Sequence, residues 1–539
     1  MFVTLRRSAA PAGRAIPAGA RPAVAGSPTT ISGEQRGSPP VRGGRWALVC
    51  LAILATAPPL VLAQQPGVLP AVDDRMPVTA VDNQRPPVVE TTANFAIAGP
   101  APVVTGNTPA PHERSRAWYV MVMLIVLYSI VFLICVYMVR HYWFTLNRLF
   151  GEQRHPYLDV DEGDWPTVTV LVPAHNEEAV IAHNLEALLD TNYPHDKLVI
   201  VPVNDRSTDR TKEIIDDFAR RYPDNIKPFH RTEGQPGKSA ALKDVTETVD
   251  SEIILVFDAD YIPGRGLIKQ LTSPFFDPEV GAVMGRVVPM NCGKNLLTRL
   301  LDLERAGGYQ VDQQARMNLR LVPQYGGTVG GVRMAALESV GGWREDALAE
   351  DTEITYRLLL AGWKTVYQNR SECYEEVPEI WPVRIRQIKR WAKGHNQVAF
   401  RYGFSLLGNR RSSFFEKLDG ILLLGVYLMA PILMVGWILA LSLFFLGENP
   451  FHSIIAILSV VAYGALGNFA AFFEIAAATR LDGATRRLRL LPLNILGFIV
   501  SVVSITGATL SQVMPHNLFS KKLVWHKTER YRKPVHKPT

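Results

Sequence analysis

Hydrophobic and polar positions divide the chain into two kinds of segment. Residues 117–139 (AWYVMVMLIVLYSIVFLICVYMV) carry no charge, and about 20 apolar residues suffice to cross a hydrocarbon core. The pattern predicts a transmembrane helix there. Three more apolar stretches, 420–446, 453–479 and 490–513, follow near the C-terminus with short polar breaks between them. The last contains Pro492, Asn494 and a run of Ser, Thr and Gly, so it reads either as a full span or as a re-entrant helix packed in protein. Residues 46–63 are shorter, are broken at Pro58-Pro59 and end in Val61-Leu62-Ala63, which suits either a cleaved signal or a first span. Between 166 and 380 the pattern changes. The β-branched runs 167–174, 198–205 and 252–260 alternate with helical periodicity at 178–190 and 209–222. That alternation predicts βαβ units and an α/β, Rossmann-like, mostly parallel sheet buried on both faces. Ligands of such sheets bind beyond the carboxyl ends of the strands.

Charge orients these segments. Residues 1–45 hold seven arginines against one glutamate, whereas 64–111 hold Asp73, Asp74, Asp82 and Glu90 against Arg75 and Arg85. The positive-inside rule puts the first stretch in the cytoplasm and the second outside. We therefore expect a basic disordered N-terminus (1–45), a signal-like or first membrane segment (46–63), a Pro-rich extracytoplasmic linker (64–116), a transmembrane helix (117–139) and a juxtamembrane stretch (140–165). A catalytic domain (166–380), amphipathic interface helices (381–417), a membrane region of three segments (418–514) and a basic tail (515–539) complete the chain. This topology corresponds to a multi-pass protein of a bacterial-type inner membrane with its catalytic domain cytoplasmic.

Composition agrees with a chain only partly in water: 47% of the 539 residues are hydrophobic and 20% charged, against about a quarter in soluble proteins. Cys50, Cys135, Cys292 and Cys373 lie far apart, without the spacing of a zinc site or a disulfide framework. The net charge is +7. Its basic residues cluster beside membrane segments and not in an aromatic-interleaved patch, which argues against nucleic acid as a partner.

The polar residues with chemical potential fall at strand ends. The first strand runs into Pro173-Ala174-His175-Asn176-Glu177-Glu178 and the second into Asn204-Asp205-Arg206-Ser207-Thr208-Asp209. Asn176 and Asp209 also suit helix N-caps, whereas Asp205 precedes the cap and could accept a nucleobase imide hydrogen. Asp258-Ala259-Asp260 closes the longest apolar strand. Carboxylates two apart in a strand share a face, and their repulsion favours a cation, Mg²⁺ or Mn²⁺, completed by diphosphate oxygens. The stretch Gly234-Gln235-Pro236-Gly237-Lys238-Ser239 lacks the first glycine of a Walker A loop, Thr232 standing there, and an ATPase is disfavoured. Glu350-Asp351-Thr352-Glu353 opens a helix ending at Gly362, where carboxylates suit the dipole and a base can be held rigidly. Gln387, Arg390 and Trp391, at i, i+3 and i+4, present an amide, a guanidinium and an indole on one helical face. The same basic helix also suits an anionic lipid surface.

In this order the motifs resemble the membrane-bound, processive family 2 glycosyltransferases, the cellulose, chitin, hyaluronan and poly-N-acetylglucosamine synthases. The resemblance covers roughly residues 165–405, and the ordered set ending in Q-x-x-R-W is its most specific part. It implies a GT-A catalytic domain that transfers a hexosyl unit from a nucleotide sugar, with inversion, onto a β-linked polysaccharide exported across the inner membrane. Carried over residue by residue, Asp205 contacts the uracil of a UDP-sugar with Lys238 nearby, and Glu177 lies in the same binding region. Asp258 and Asp260 hold the diphosphate, Asp260 through Mg²⁺ or Mn²⁺. Asp351 is the general base with Glu350 beside it, while Gln387, Arg390 and Trp391 line the acceptor and pyrophosphate region and Trp391 stacks on the terminal sugar. Asn204, Arg206 and Lys243 depart from the family pattern of Asp, Gly and Asn.

Two competing readings differ in class: a non-processive transferase placing one sugar on a lipid carrier, and a non-catalytic membrane scaffold. The implied partners are a nucleotide sugar, the growing polysaccharide, inner-membrane lipid and an accessory export or regulatory subunit. A helix dipole and nearby cations are expected to lower the Asp351 pKa, which would make proton transfer late.

Overall fold

A computed structural model of the chain describes residues 118–155, 163–448 and 468–513. The expectations for 1–45, 46–63, 64–116 and 515–539, and for the start of the 453–479 stretch, lie outside the described residues.

The catalytic region is built on an eight-stranded sheet: β1 (Val168–Ala174), β2 (Leu198–Asp205), β3 (Phe229–Arg231), β4 (Ile253–Val256), β5 (Ile262–Pro263), β6 (Val280–Pro289), β7 (Gly330–Arg333) and β8 (Lys364–Glu375). Its order is β3-β2-β1-β4-β7-β6-β8-β5. β1 pairs in parallel with β2 and β4, β2 with β3, and β6 with β8, whereas β7 runs antiparallel to both β4 and β6. The helices that matter for the site are α1 (Trp118–Phe150), α2 (Ile181–Leu189), α3 (Thr211–Arg221), α4 (Lys238–Thr246), α5 (Leu296–Ala306), α6 (Gln314–Asn318), α7 (Glu350–Ala361) and α8 (Trp381–Gly408). They are followed by α9 (Phe414–Leu424), α10 (Met429–Phe445), α11 (Asn468–Leu481) and α12 (Asn494–Val513). The result is an α/β domain with a mixed, mostly parallel sheet, in keeping with the GT-A domain that the sequence resemblance implies.

The continuous apolar strands do what their sequence requires. Along β1, Val170 and Val172 join one buried cluster with Leu185, Leu188 and Ile215, while Leu171 joins the opposite cluster with Leu242, Val245 and Ile354. β4 splits likewise, Leu255 to one side and Ile254 and Val256 to the other. Alternation of side chains thus fills two cores at once. The parallel registers Val168↔Leu198 and Val168↔Ile253 align the carboxyl ends of β1, β2 and β4, and the polar motifs leave the sheet from that edge.

Two of the apolar helices, α1 and the continuous stretch Thr485–Val513, are long and apolar enough to cross a membrane by length and composition. α1 has 33 residues, roughly 50 Å at 1.5 Å per residue, and exceeds the ~30 Å needed. Its C-terminal part therefore reaches past the predicted span: Arg140 and Arg148 meet Asp312 and Gln310 of the sheet domain, and His141 meets Glu474 of α11. The 420–446 stretch is not one straight helix: α9 and α10 meet at a 71° bend. Gly425 sits at that bend, where a Cβ would lie 2.9 Å from Tyr137 Oη, and Tyr137 donates to the Leu422 carbonyl at 2.6 Å. The helix breaks where α1 presses against it.

Candidate active site

A cleft of about 520 Å³ opens at the strand edge, and all ten residues singled out above line it: Glu177, Asp205, Lys238, Asp258, Asp260, Glu350, Asp351, Gln387, Arg390 and Trp391. They come from six separate segments, joined because the sheet aligns strand ends and α7 and α8 close over them.

At one end Asp205 is already engaged. Its Oδ1 accepts from Arg231 Nη1 at 2.8 Å and Arg206 Nε at 2.9 Å, and its Oδ2 from the Gly237 amide at 3.1 Å. The buried Arg231 was missed by sequence reasoning because β3 is only three residues long. Gly237 adopts φ +127, a left-handed-side value that favours glycine, and this turn delivers Lys238 as the first residue of α4. Neither Asn176 nor Asp209 is the N-cap that the alternative reading expected, since Val180 and Arg210 hold those positions. Asn176 Oδ1 instead ties the two strand-end loops together by accepting from the Thr208 amide at 2.7 Å, and Asp209 Oδ1 accepts from the Thr211 amide at 3.0 Å.

Lys238 occupies the centre. Its Nζ donates to Asp258 Oδ1 at 2.6 Å and the Gly327 carbonyl at 2.7 Å, and lies 3.3 Å from Glu350 Oε1. Burial opposes its charge, but Asp258, Glu350 and Asp351 outweigh burial and raise the ammonium above its ordinary range. The route by which Asp258 and Asp260 meet differs from the expected one. β4 ends at Val256, and Asp258–Tyr261 form a turn in which the Tyr261 amide donates to the Asp258 carbonyl at 3.0 Å. A turn, not a strand pleat, brings both carboxylates to the cleft, with Asp258 half exposed and Asp260 buried. No group of three or more His, Cys, Asp or Glu side chains arranged for a metal is present among the described residues. The donor set is two hard carboxylates, which fits a Mg²⁺- or Mn²⁺-type ion completed by phosphate oxygens.

Asp351 lies in the first turn of α7, its Oδ1 accepting from the Thr352 amide at 2.6 Å. The expected lowering of its pKa is reversed. Burial raises Asp351, and the Thr352 amide, Lys238 and Arg390 only partly oppose it; Glu350 is raised for the same reason against Lys238. Desolvation outweighs dipole and cation because the helix terminus is covered by α8. On α8, Gln387 Oε1 accepts from Arg384 at 2.8 Å. The Trp391 ring has two guanidiniums, Arg305 and Arg384, each 5.1 Å from its centre. Arg305 also donates to Glu375 at 2.7 Å, and Glu375 accepts from Tyr261 at 2.8 Å. One chain of contacts therefore links the turn of Asp260 to the indole.

Sequence reasoning missed Arg305, Glu375 and His395. His395 was within reach, since it follows Trp391 by i+4 on the same face of α8; burial pushes its imidazole down to about 4. A π-helical segment, Gly307–Gln313, inserts Tyr309, Asp312 and Gln313 into the cleft, and the pair Gly307-Gly308 was its faint signal. The far wall is apolar: Leu423, Val426 and Tyr427 come from the bend between α9 and α10.

The model of the "Glycosyltransferase like family 2" matches residues 166–394. The "Probable glycosyltransferase YdaM" of Bacillus subtilis (strain 168) is 30% identical over 404 residues, 73% of this chain and 92% of that one. This chain belongs to glycosyltransferase family 2. The "Beta-monoglucosyldiacylglycerol synthase" of Nostoc sp. (strain PCC 7120 / SAG 25.82 / UTEX 2576) is 33% identical over 267 residues, 49% of this chain, which spans 56% of that synthase. Among solved structures, the mannosyltransferase PcManGT from Pyrobaculum calidifontis, in complex with GDP-Man and Mn2+, aligns over 67% of this chain and 99% of its own at a TM-score of 0.47 and 23% identity. As a family 2 glycosyltransferase the protein is an enzyme that uses nucleotide sugars.

Proposed function

We propose that this protein is an inverting hexosyltransferase that moves a sugar from a nucleotide sugar, UDP-linked in the first instance, to a hydroxyl of a membrane lipid. The observation that carries the acceptor is the apolar wall of Leu423, Val426 and Tyr427, where the cleft ends in the bend of two apolar helices. A hydroxyl arriving from the bilayer can enter there with its apolar remainder still among α9 and α10. The lipid glycosylation named for the Nostoc relative supports the same reading.

In this mechanism the nucleotide sugar lies along the strand edge between Asp205 and Asp258. Asp205 and its Arg231 partner hold the turn of Gly237 in place beneath the base. Lys238 meets the diphosphate, exchanging part of its contact with Asp258. A divalent ion held by Asp260 and Asp258 would neutralise charge growing on the leaving diphosphate. The acceptor oxygen attacks the anomeric carbon from the side opposite that leaving group, the carbon–oxygen bond to the diphosphate breaks, and Asp351 takes the hydroxyl proton. Burial serves Asp351 here, since a raised pKa makes its carboxylate a stronger base. Glu350 and Lys238 fix its field, and Gln387, Arg390 and Trp391 orient the acceptor. The expected setting is a multi-pass protein of the bacterial inner membrane, with the cleft on the cytoplasmic side where nucleotide sugars are made.

The Q-x-x-R-W face favours a second reading, extension of a β-linked polysaccharide with export, because its three residues line the cleft together. Two guanidiniums at the Trp391 ring leave less of its face for a stacked sugar, which ranks chain extension second. Membranes incubated with labelled UDP-sugars decide between them by product length. A glycolipid carrying one sugar supports the first reading; a ladder of oligosaccharides overturns it.

A further inference from the structure

A second cavity, about 620 Å³, lies outside the catalytic cleft and shares none of its lining residues. It is lined by Arg148, His155, Arg286, Arg370 and Glu372 together with the amides of Gln153, Gln310 and Asn369. Each basic side chain reaches it from a different element. Arg148 ends α1, and His155 follows it in the chain. Arg286 lies on β6, and Arg370 on a bulge in β8. That bulge is visible in the register, where Gly285 pairs with Gln368 but Arg286 pairs with Glu372. Extra residues in one strand re-aim side chains, and here they turn Asn369 and Arg370 into the wall of the cavity.

The positive charge is only partly matched. Arg286 is paired, with Glu372 at 2.9 Å and with Asp482 at 2.7 Å. Arg148 donates to neutral groups alone: the Gln310 carbonyl at 2.7 Å, Gln153 Oε1 at 2.7 Å and Gln310 Oε1 at 3.2 Å. Neither Arg148 nor Arg370 has a carboxylate within 4.0 Å among the described residues. His155 is pulled below its ordinary pKa, by burial first and then by Arg370 and Arg148, so the site resists adding a further positive charge. Three guanidiniums against one lining carboxylate, with amides between them, form a donor-rich cradle. Guanidinium forks match phosphate oxygens two at a time.

We propose that this pocket binds a phosphate group, presented either by the headgroup of an anionic phospholipid or by a soluble phosphate ester. Its place at the end of an apolar helix puts it within reach of a lipid surface, and its open mouth admits a soluble anion equally well. Gln310 belongs to the π-helical segment whose Tyr309, Asp312 and Gln313 line the catalytic cleft. An anion held against Arg148 and Gln310 therefore bears directly on a segment that shapes the acceptor region. The proposal does not depend on which acceptor the enzyme uses.

The test uses the full-length protein in zwitterionic nanodiscs, with two probes: inorganic phosphate in solution, and phosphatidylglycerol incorporated into the disc. Binding to the folded state raises the thermal midpoint in a saturable way. A response to phosphate identifies a soluble anion as sufficient, whereas a response to phosphatidylglycerol alone identifies a headgroup. In either arm Arg370→Gln, an exposed position, weakens binding by about tenfold or more, the loss expected for a hydrogen bond to a charged group. Glu372→Gln tightens it. The proposal is overturned if neither probe gives a saturable shift, or if Arg370→Gln leaves the shift unchanged, which would put the anion in the catalytic cleft.

Discussion

Asp351 is set between opposing influences at the scale of a single residue. Burial raises its pKa and Lys238 pulls it down. As the proposed base, Asp351 must be ionised to accept a proton, so activity is expected to fall as pH drops through that raised value. The acid limb of kcat/KM therefore lies above the ordinary aspartate value of about 4. Lys238→Met removes a cation that stabilises the ionised form, so the limb moves to higher pH in that variant, whatever happens to the plateau. A pH–rate profile of both proteins with a fixed UDP-sugar checks this, and a limb that stays in place or moves down would remove Lys238 from the electrostatics of the base. Asp351→Asn is expected to lower kcat by about 10²- to 10⁴-fold, the usual worth of general base catalysis. Affinity for the nucleotide sugar, measured by calorimetry, should change by only a few-fold. A variant that keeps most transfer would refute Asp351 as the base.

Between elements, the position of Asp351 depends on how closely α8 approaches the start of α7. Gly394 makes that approach possible: a Cβ there would lie 2.5 Å from Ala349 Cβ and 3.0 Å from the Ala349 amide nitrogen, immediately before Glu350. Both obstacles belong to the backbone or its first carbon, so neither can swing away. Gly394→Ala should cost about 1–3 kcal/mol as overpacking and lower kcat by displacing α7 from the acceptor, both readable from a thermal midpoint and initial rates. Sequence reading found the surroundings of this contact but not the contact. The strands β1, β2 and β4 were legible because strands buried on both faces leave unbroken apolar runs, and α7 because its acidic first turn and Gly362 mark both ends; Gly362 indeed takes φ +93. The ten cleft residues were legible as ordered motifs. The antiparallel β7 was hidden, since Gly330-Gly331-Val332 carries no strand pattern, and so was β3. Arg305 and Glu375 were hidden for a different reason. Their meaning is mutual, and nothing local tells an arginine at the end of one helix that it will meet a glutamate 70 residues away at a strand end.

Across the whole molecule, the apolar part of the chain is bolted to the catalytic part by buried charge. Arg140 of α1 pairs with Asp312 at 2.9 Å and Asp419 at 2.8 Å, and Arg316 pairs with the same two carboxylates at 2.8 and 2.9 Å. Arg316 is 2% exposed and Asp419 5%. Four charges from α1, the π-helical segment, α6 and α9 thus neutralise one another, and Asp312 and Arg316 also line the cleft. The long apolar helix and the cleft therefore share one network, an arrangement that suits the proposed lipid acceptor. Burial alone would raise the Asp312 carboxyl, but Arg140 and Arg316 prevail and lower it to about 2. A depressed carboxylate pKa stabilises the fold fully above the unfolded value of about 4 and loses that contribution as pH falls from there towards the folded value. Asp312→Asn leaves two buried guanidiniums sharing one remaining carboxylate, and removal of one partner of a buried pair costs about 3–5 kcal/mol. In detergent at neutral pH the variant should unfold at a clearly lower temperature than the wild type. The gap should narrow as both are taken from about pH 4 to about pH 2, because the wild type then loses the charge that the variant already lacks. A gap that stays constant over that range would mean that Asp312 acts through packing and not through its charge.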